Sequence, residues 1–256
     1  MDRGLVSVIM LSRNGGRFAE QSVGSVMAQT YTNWELLFYA PYSKDSLVGR
    51  MMELKDQDAR IQVFQVVEQE KDLSRNMGLR DAKGRWIAFL DCGDLWEPEK
   101  LERQITFMET QNYHFSYTEY EKMGLFLWMR GAIFGGPKKL TREDMIRCCW
   151  PRYLTVMYDA KELGLIQVEE LPYNNDYALW LKISEKVDCY LLPECLAKLR
   201  TPQSNFVQYL LTDKLNWRYR VYRIILGRGM FVSIMMTLRN LFFSSIKRVK
   251  YVRKKL

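Results

Sequence analysis

Across residues 1–110 the apolar residues fall into blocks of two kinds. Leu5–Met10, Trp34–Tyr39, Ile61–Val67 and Trp86–Leu90 are compact runs of strand length. Between them, helical spacing marks Arg17–Gln29, Leu47–Leu54, the segment from Arg75 to Ala82 and Lys83, and Glu99 to about Thr110. Phe18, Val23, Val26 and Met27 are available for one face of the first helix, and Gly84 is a stop signal for the third. Ser12-Arg13-Asn14-Gly15-Gly16 and Tyr42-Ser43-Lys44-Asp45 read as turns. Strands alternating with helices predict an α/β fold with a mostly parallel sheet of βαβ units.

Past residue 110 the alternation weakens. Tyr113–Glu121 and Leu125–Phe134 predict irregular strands, with a loop at Gly135-Gly136-Pro137. Thr141–Cys149 predicts a short helix with Thr141 as cap and Asp144 in its first turn. Leu154–Tyr158 predicts a strand and Asp159–Leu163 a brief helix. Asp176–Val187 predicts a strong helix with Leu179, Trp180 and Ile183 on one face. Strands near Tyr190–Leu192 and Leu196–Leu199 close this half, and the chain from Ser204 onward predicts two or three helices.

Composition narrows the class. The 256 residues are 48% hydrophobic, enough for one sizeable core or one large domain with an appendage. The opening MDRGLVSVIM runs directly into a strand pattern, which predicts no signal peptide. No window approaches the ~18–20 uninterrupted apolar residues of a spanning helix. Five cysteines, an odd number with no C-x-x-C pair, point to a reducing compartment. The lone histidine, His114, excludes a multi-histidine metal site and argues against His-based triads. The net charge of +8 is unevenly placed: Thr201–Leu256 carries twelve Lys and Arg and one acid, +11, which leaves −3 on the other residues. Such a tail suits an anionic surface.

The stretch Leu73–Trp96 bears the most chemistry. Its apolar strand delivers Asp91 and Asp94 to the edge where open α/β sheets bind ligands, a placement that suits a metal, a sugar hydroxyl or a diphosphate. The competing reading is a polar turn in which Asp94 caps the helix after Glu97-Pro98-Glu99. Spacing alone likewise favours a capping role for Asp176. Trp34, Trp86 and Trp180 are expected in the core, and Trp96 and Trp150 are expected to pack rather than stack on a sugar. Gly15-Gly16 is no dinucleotide fingerprint, because no G-x-G-x-x-G follows the first strand.

Five blocks in order resemble glycosyltransferase family 2, the inverting transferases with a nucleotide-sugar donor: VSVIMLSRN at 6–14, SVMAQTYTNWELLFY at 25–39, LSRN with AKGRWIAFLDCGDLWEPEKLERQ, NNDYALWLKIS at 174–184, and LPECLAKLR at 192–200. They span about 200 residues, and small bacterial enzymes that build capsule, O-antigen (lipopolysaccharide) or other surface polysaccharide are the expected relatives. The resemblance implies a GT-A fold: a nucleotide-sugar-binding half over 1–110, an acceptor-binding half over 111–203, and a basic helical extension over 204–256. It implies a donor site that includes Ser12 and Asn14 of the first loop, Arg75 near the nucleotide base, Asp91 at the ribose or metal, Asp94 beside the diphosphate, and Arg200 approaching the diphosphate from the late loop. Asp176 would be the general base. It also implies a divalent metal, Mg²⁺ or Mn²⁺, on Asp91 and Asp94, and a saccharide acceptor, with a polyprenyl-diphosphate-linked saccharide as the expected form.

Two departures bear on this. Gly93 stands where many members have the metal-holding aspartate, and Ala40-Pro41 replaces an aspartate pair that in relatives receives the base N–H, so uridine specificity does not follow. No Q-x-x-R-W motif of processive members is present, which favours single-sugar transfer. The rival readings are a nucleotidyltransferase, a degenerate protein that binds sugar nucleotide without turnover, and a basic nucleic-acid-binding protein. Against the last, the body is net acidic and the tail is rich in Ile, Leu, Phe and Met, so no nucleic-acid partner is expected. From Arg218 to Lys255 basic and apolar residues interleave, as in helices that lie on anionic membranes. The expected location is therefore the bacterial cytoplasm, peripheral at the cytoplasmic membrane face.

Overall fold

The computed structural model describes residues 3–12, 18–41, 46–66, 74–123, 131–168, 175–200 and 211–254. The chain begins with β1 (Val6–Leu11), α1 (Ala19–Met27), β2 (Trp34–Pro41), α2 (Ser46–Gln57), β3 (Ile61–Val66), α3 (Ser74–Asp81) and β4 (Trp86–Asp91). These strands lie parallel in the order β4-β1-β2-β3. They read as mostly apolar runs because both faces of the sheet are covered. Val6, Val8, Met10, Leu36, Phe38, Ala88 and Leu90 point to one core beneath α1, α2 and α4 (Lys100–Gln111). Ile9, Leu11, Leu37, Tyr39, Ile87 and Phe89 point to the other, beneath α3 and α7 (Asn175–Ile183).

The parallel part stops at β4. Past it come β5 (Leu95–Trp96), β6 (Phe115–Met123), β7 (Ala132–Phe134), β8 (Lys139–Leu140), α5 (Arg142–Arg147), a 3₁₀ turn at Tyr153–Thr155, β9 (Val156–Asp159) and α6 (Ala160–Leu163). β9 runs antiparallel to both β4 and β6, so this half is mixed. Thr141 caps α5 in a reciprocal box with Asp144, and Asp159 caps α6 through the Lys161 amide. The two closing strands expected from the sequence are one, β10 (Cys189–Arg200), which pairs with β6. Its register shifts after Leu192, at Pro193, which has no N–H to give the ladder.

Gly84 acts by close approach as well as by ending a helix. A Cβ there would lie 2.6 Å from the Ser7 nitrogen and 2.7 Å from the Leu5 oxygen. Its N–H donates to Ser7 Oγ, which in turn donates to the buried Glu35 carboxylate at 2.6 Å. This contact docks the end of α3 on β1 and sets the start of β4.

The tail folds back on the body. α8 (Leu211–Arg220), a π-helical turn (Val221–Ile225) and α9 (Met230–Lys250) are followed by a strand that the sequence pattern did not predict, β11 (Val252–Lys254). β11 pairs with β7 and extends the sheet, and Arg253 meets Glu119 at 2.5 Å. Backbone pairing and ion pairing, which need no apolar side chain, hold these basic residues against the body. α7 is buried all round rather than on one face. Tyr177, Ala178 and Leu181 are as enclosed as Leu179, Trp180 and Ile183, because Tyr177 is covered by Trp217 and Tyr222 from the tail. Ile224, by contrast, is exposed. Trp34, Trp86, Trp180, Trp96 and Trp150 are all buried, and the five cysteines are free thiols.

Candidate active site

β1 and β4 end side by side, with Leu11 in register with Asp91, so Ser12 and Asp91 reach the same sheet edge. The Cys92 amide donates to the Leu11 oxygen at 3.1 Å and the Ser12 amide to the Tyr39 oxygen at 2.9 Å. Ser12 is buried with its hydroxyl beside the Cys92 thiol. Asn14 lies outside the described residues. The turn after Asp91 is closed by the Asp94 amide on the Asp91 oxygen. Gly93 holds φ +103°, its N–H donates to Ser22 Oγ on α1, and its oxygen accepts from Arg200 Nε at 2.8 Å.

Asp94 does not cap α4, whose cap position is Glu99. Its carboxylate accepts from the Arg200 amide at 2.9 Å instead. Burial pushes the Asp94 carboxyl up to about 8, with the Arg200 N–H opposing and Asp91 adding to the rise. Arg200 is held on every side: its guanidinium lies 3.8 Å from the Phe18 ring centroid and donates to Gln21 Oε1 at 2.7 Å. The end of β10 is thereby locked to the end of β4 and to α1.

Arg75, on α3, is 3% exposed and sits 4.3 Å from the Tyr153 ring centroid. Burial disfavours its charge, but Tyr153, Asp176 and Asp91 outweigh that and hold the guanidinium protonated. Arg75 therefore joins the strand-edge acid to the acid of α7. α7 begins at Asn175, which puts Asp176 in the first turn, inside the cap position, and partly open to solvent. The neighbouring Asn76 grips the backbone of Val168 with both amide atoms.

Three residues that the sequence reading passed over complete the site. Arg152, just before the 3₁₀ turn, carries its charge beside Tyr120, Cys149 and Asp176, and acts on Asp94 as well. Tyr120 first raises the Arg152 pKa, burial opposes, and Asp176 adds to the rise. Tyr120 is buried, yet its phenol is held below the usual tyrosine range, because Arg152 and Lys247 outweigh the cost of burial. Lys247, on α9, donates to the oxygens of Cys149 and Trp150. One signal was available in the sequence: Arg152 is the lone charge in the apolar run Cys148–Tyr158. Nothing local marks Lys247, which is one of many tail cations.

The residues present do not fit a metal centre built by the protein. Among the described residues no three His, Cys, Asp or Glu side chains converge. Asp94 is committed to the Arg200 amide, and a side chain grown from Gly93 would face Arg200, whose Cδ lies 3.8 Å from the Cβ position. Where a third carboxylate would reach, this chain places a guanidinium. Asp91 and Asp94 are then the carboxylates that would hold the expected Mg²⁺ or Mn²⁺, with its further ligands coming from outside the protein. The arrangement offers instead a partly exposed carboxylate at a helix start, two carboxylates at a strand edge, and several arginines among them. That set suits deprotonation of a hydroxyl next to a departing anion.

Comparison with known proteins gives the family. Residues 7–154 match the Glycosyl transferase family 2. The chain is 34% identical to TuaG of Bacillus subtilis, named as a glycosyltransferase of teichuronic acid biosynthesis, over 77% of this chain and 79% of that one. It is 35% identical to WfgD of Escherichia coli, a UDP-Glc:alpha-D-GlcNAc-diphosphoundecaprenol beta-1,3-glucosyltransferase, over 72% of this chain and 71% of that one. Among solved structures, S. aureus TarS residues 1–349 with UDP-GlcNAc superposes with a TM-score of 0.69 at 16% identity, over 92% of this chain and 71% of that one. A mannosyltransferase of Pyrobaculum calidifontis, solved with GDP-Man and Mn²⁺, gives 0.59 at 11% identity, over 94% and 75%. These likenesses in fold accord with the GT-A architecture. The chain belongs to glycosyl transferase family 2 and is a glycosyltransferase.

Proposed function

We propose that this enzyme moves one sugar, with inversion, from a nucleotide-sugar donor to a lipid-diphosphate-linked saccharide during surface polysaccharide synthesis. The observation that carries the reading is Arg75, which lies beside both Asp91 and Asp176 and so brings the strand-edge and α7 acids into one site. Asp176 takes the proton of the acceptor hydroxyl as it attacks the anomeric carbon. Ser12, Asp91 and Asp94 line the donor side, with Asn14 assigned to it from the sequence alone, while Arg200 keeps cationic charge at the diphosphate. The 1–110 half receives the donor, 111–203 receives the acceptor, and the tail brings the enzyme to the membrane. The lipid-linked acceptor is supported by the substrate named for WfgD. The test is transfer of radiolabelled sugar from UDP- and GDP-sugars to a polyprenyl-diphosphate saccharide, with anomeric configuration read by NMR. A retained configuration, or no transfer from any donor, would refute the proposal.

Peripheral membrane binding at the cytoplasmic face belongs to the same reading. No helix among the described residues is long and apolar enough to cross a membrane. α9 is amphipathic in the reverse sense. The face it packs on the protein is polar, with Ser233, Thr237 and Asn240 buried and Asn240 Nδ2 donating to Tyr222 at 2.9 Å. Its outer face exposes Phe231 (78%), Met235 (66%), Leu238 (53%) and Phe242 (63%). A stripe of this kind, with exposed Arg228, Arg239, Lys250 and Lys254 around it, suits an anionic bilayer. Each such cation contributes about 1 kcal/mol at the surface. Co-sedimentation with phosphatidylglycerol and with phosphatidylcholine vesicles tests it in the full chain, with Phe231→Ser/Phe242→Ser as the variant. Truncation is unsuitable, because β11 and the buried Tyr222 are part of the fold. Equal recovery of wild type and variant in the supernatant at low salt, with a doubled mass in solution, would assign the stripe to a second copy.

A further inference from the structure

We propose that Arg152 is a diphosphate-binding residue of this site, presented from a rigid segment to the cleft between the strand-edge carboxylates and Asp176. The inference rests on the glycosyl-transfer reading above and adds to it a residue that the donor set did not include.

Three observations carry it. The first is the contrast between backbone and side chain. Both flanking residues, Pro151 and Tyr153, are buried, and the Arg152 oxygen accepts from the Thr155 amide at 2.9 Å and from Thr155 Oγ1 at 2.7 Å. Upstream, Lys247 binds the Cys149 and Trp150 oxygens, while Trp150 Nε1 donates to the Asp144 oxygen at 3.2 Å. The backbone is pinned on both sides, yet the Arg152 side chain is exposed. The Tyr120 phenol meets its guanidinium and steadies it, while the residue keeps the accessible area that a ligand would need.

The second observation is position. Arg152 acts on Asp94 at one side and Asp176 at the other. A departing diphosphate must pass between those groups if Asp176 serves the attacking hydroxyl. The third is the charge balance. Position 93 brings no carboxylate for a metal, and the side chain that faces it is Arg200. Arg200 has Nε and Nη2 already engaged by Gly93 and Gln21. A second guanidinium is therefore needed to grip two phosphates, and its planar fork matches phosphate oxygens in pairs. Lys247 extends the argument to the tail, since the helix that bears the exposed apolar stripe also braces the segment carrying Arg152.

The diphosphate has two possible sources, the nucleotide of the donor and the lipid-linked end of the acceptor. Calorimetric titration of wild type, Arg152→Gln and Arg152→Lys with inorganic pyrophosphate, UDP, GDP and farnesyl diphosphate in detergent separates them. Loss of a charge-assisted contact predicts about 10- to 100-fold weaker pyrophosphate binding in Arg152→Gln, with partial recovery in Arg152→Lys. A matching loss for a nucleoside diphosphate assigns the donor, and a matching loss for farnesyl diphosphate assigns the acceptor. Unchanged affinity of Arg152→Gln for all four ligands, with the variant folded by circular dichroism, overturns the proposal, as does a wild type that binds none. If wild type binds pyrophosphate but neither nucleotide, the donor reading fails while Arg152 is still judged on pyrophosphate.

Discussion

Gly93 gives the sharpest test of how the edge at the end of β4 is built. Its φ of +103° lies in the region that L side chains rarely adopt. The peptide cannot relax cheaply, because Ser22 Oγ holds its N–H at 2.9 Å and Arg200 Nε holds its oxygen at 2.8 Å. Gly93→Ala therefore costs about 1–3 kcal/mol of backbone strain. The loss is offset by about 0.4–1 kcal/mol from the reduced freedom of the unfolded chain. Space is not the issue: the nearest atom to the added Cβ is Arg200 Cδ at 3.8 Å, an ordinary contact. The net loss is about 1–2 kcal/mol, or roughly 2–8 °C in Tm for a chain of this size. Gly93→Asp carries the same strain, eased because aspartate tolerates positive φ better and its carboxylate would face Arg200. The expected order of stability is wild type, then the Asp variant, then the Ala variant, read by urea unfolding with unchanged slope and by thermal melts. An Ala variant as stable as wild type would show that the turn is not held at positive φ, and the account of Gly93 would fall with it.

Other outcomes follow from the same contacts. Asp176→Asn should leave donor binding near normal and lower turnover by ~10²–10⁴-fold; unchanged kinetics with a verified acceptor would return Asp176 to a structural role. Asp91→Ala and Asp94→Ala should each weaken nucleotide-sugar binding by calorimetry, and a donor complex with both carboxylates remote from the phosphates would contradict this. Gly84→Ala should destabilise by about 1–3 kcal/mol or more, since backbone atoms rather than flexible side chains oppose the new methyl; a melt within a degree of wild type would refute it. Lys100 is buried, with its ammonium 4.0 Å from the Trp96 ring centroid, and burial lowers its pKa well below the usual lysine value. The unfolded chain then binds the extra proton, so this group's contribution to stability rises with pH from its lowered folded pKa up to its unfolded value. Lys100→Met should lose that slope and be at least as stable near neutral pH, as measured by urea unfolding across a pH series.

Local pattern was enough for much of the fold. Mostly apolar runs separated by helical spacing already specified β1 to β4 and their crossing helices, because a strand covered on both faces holds a polar side chain only where it finds a partner, as Ser7 and Glu35 do in each other. The Thr141 cap was equally legible, since a cap is a contact between near neighbours in sequence. Asp91, Asp94 and Asp176 stood out as candidates for a related reason: each sits where a strand ends or a helix starts. Their use did not follow from spacing. Whether Asp94 caps a helix or holds Arg200 depends on β10 arriving beside β4, a long-range pairing that no local signal encodes. The same holds for Arg152 and Lys247, which are far apart in the chain and meet only because α9 folds back over the α5–β9 connection. The tail shows the limit most plainly. Its basic and apolar residues were visible in sequence, but which side packs was not, and packing put the polar side inward. An amphipathic helix has two faces, and only the surface it lands on decides which one stays exposed.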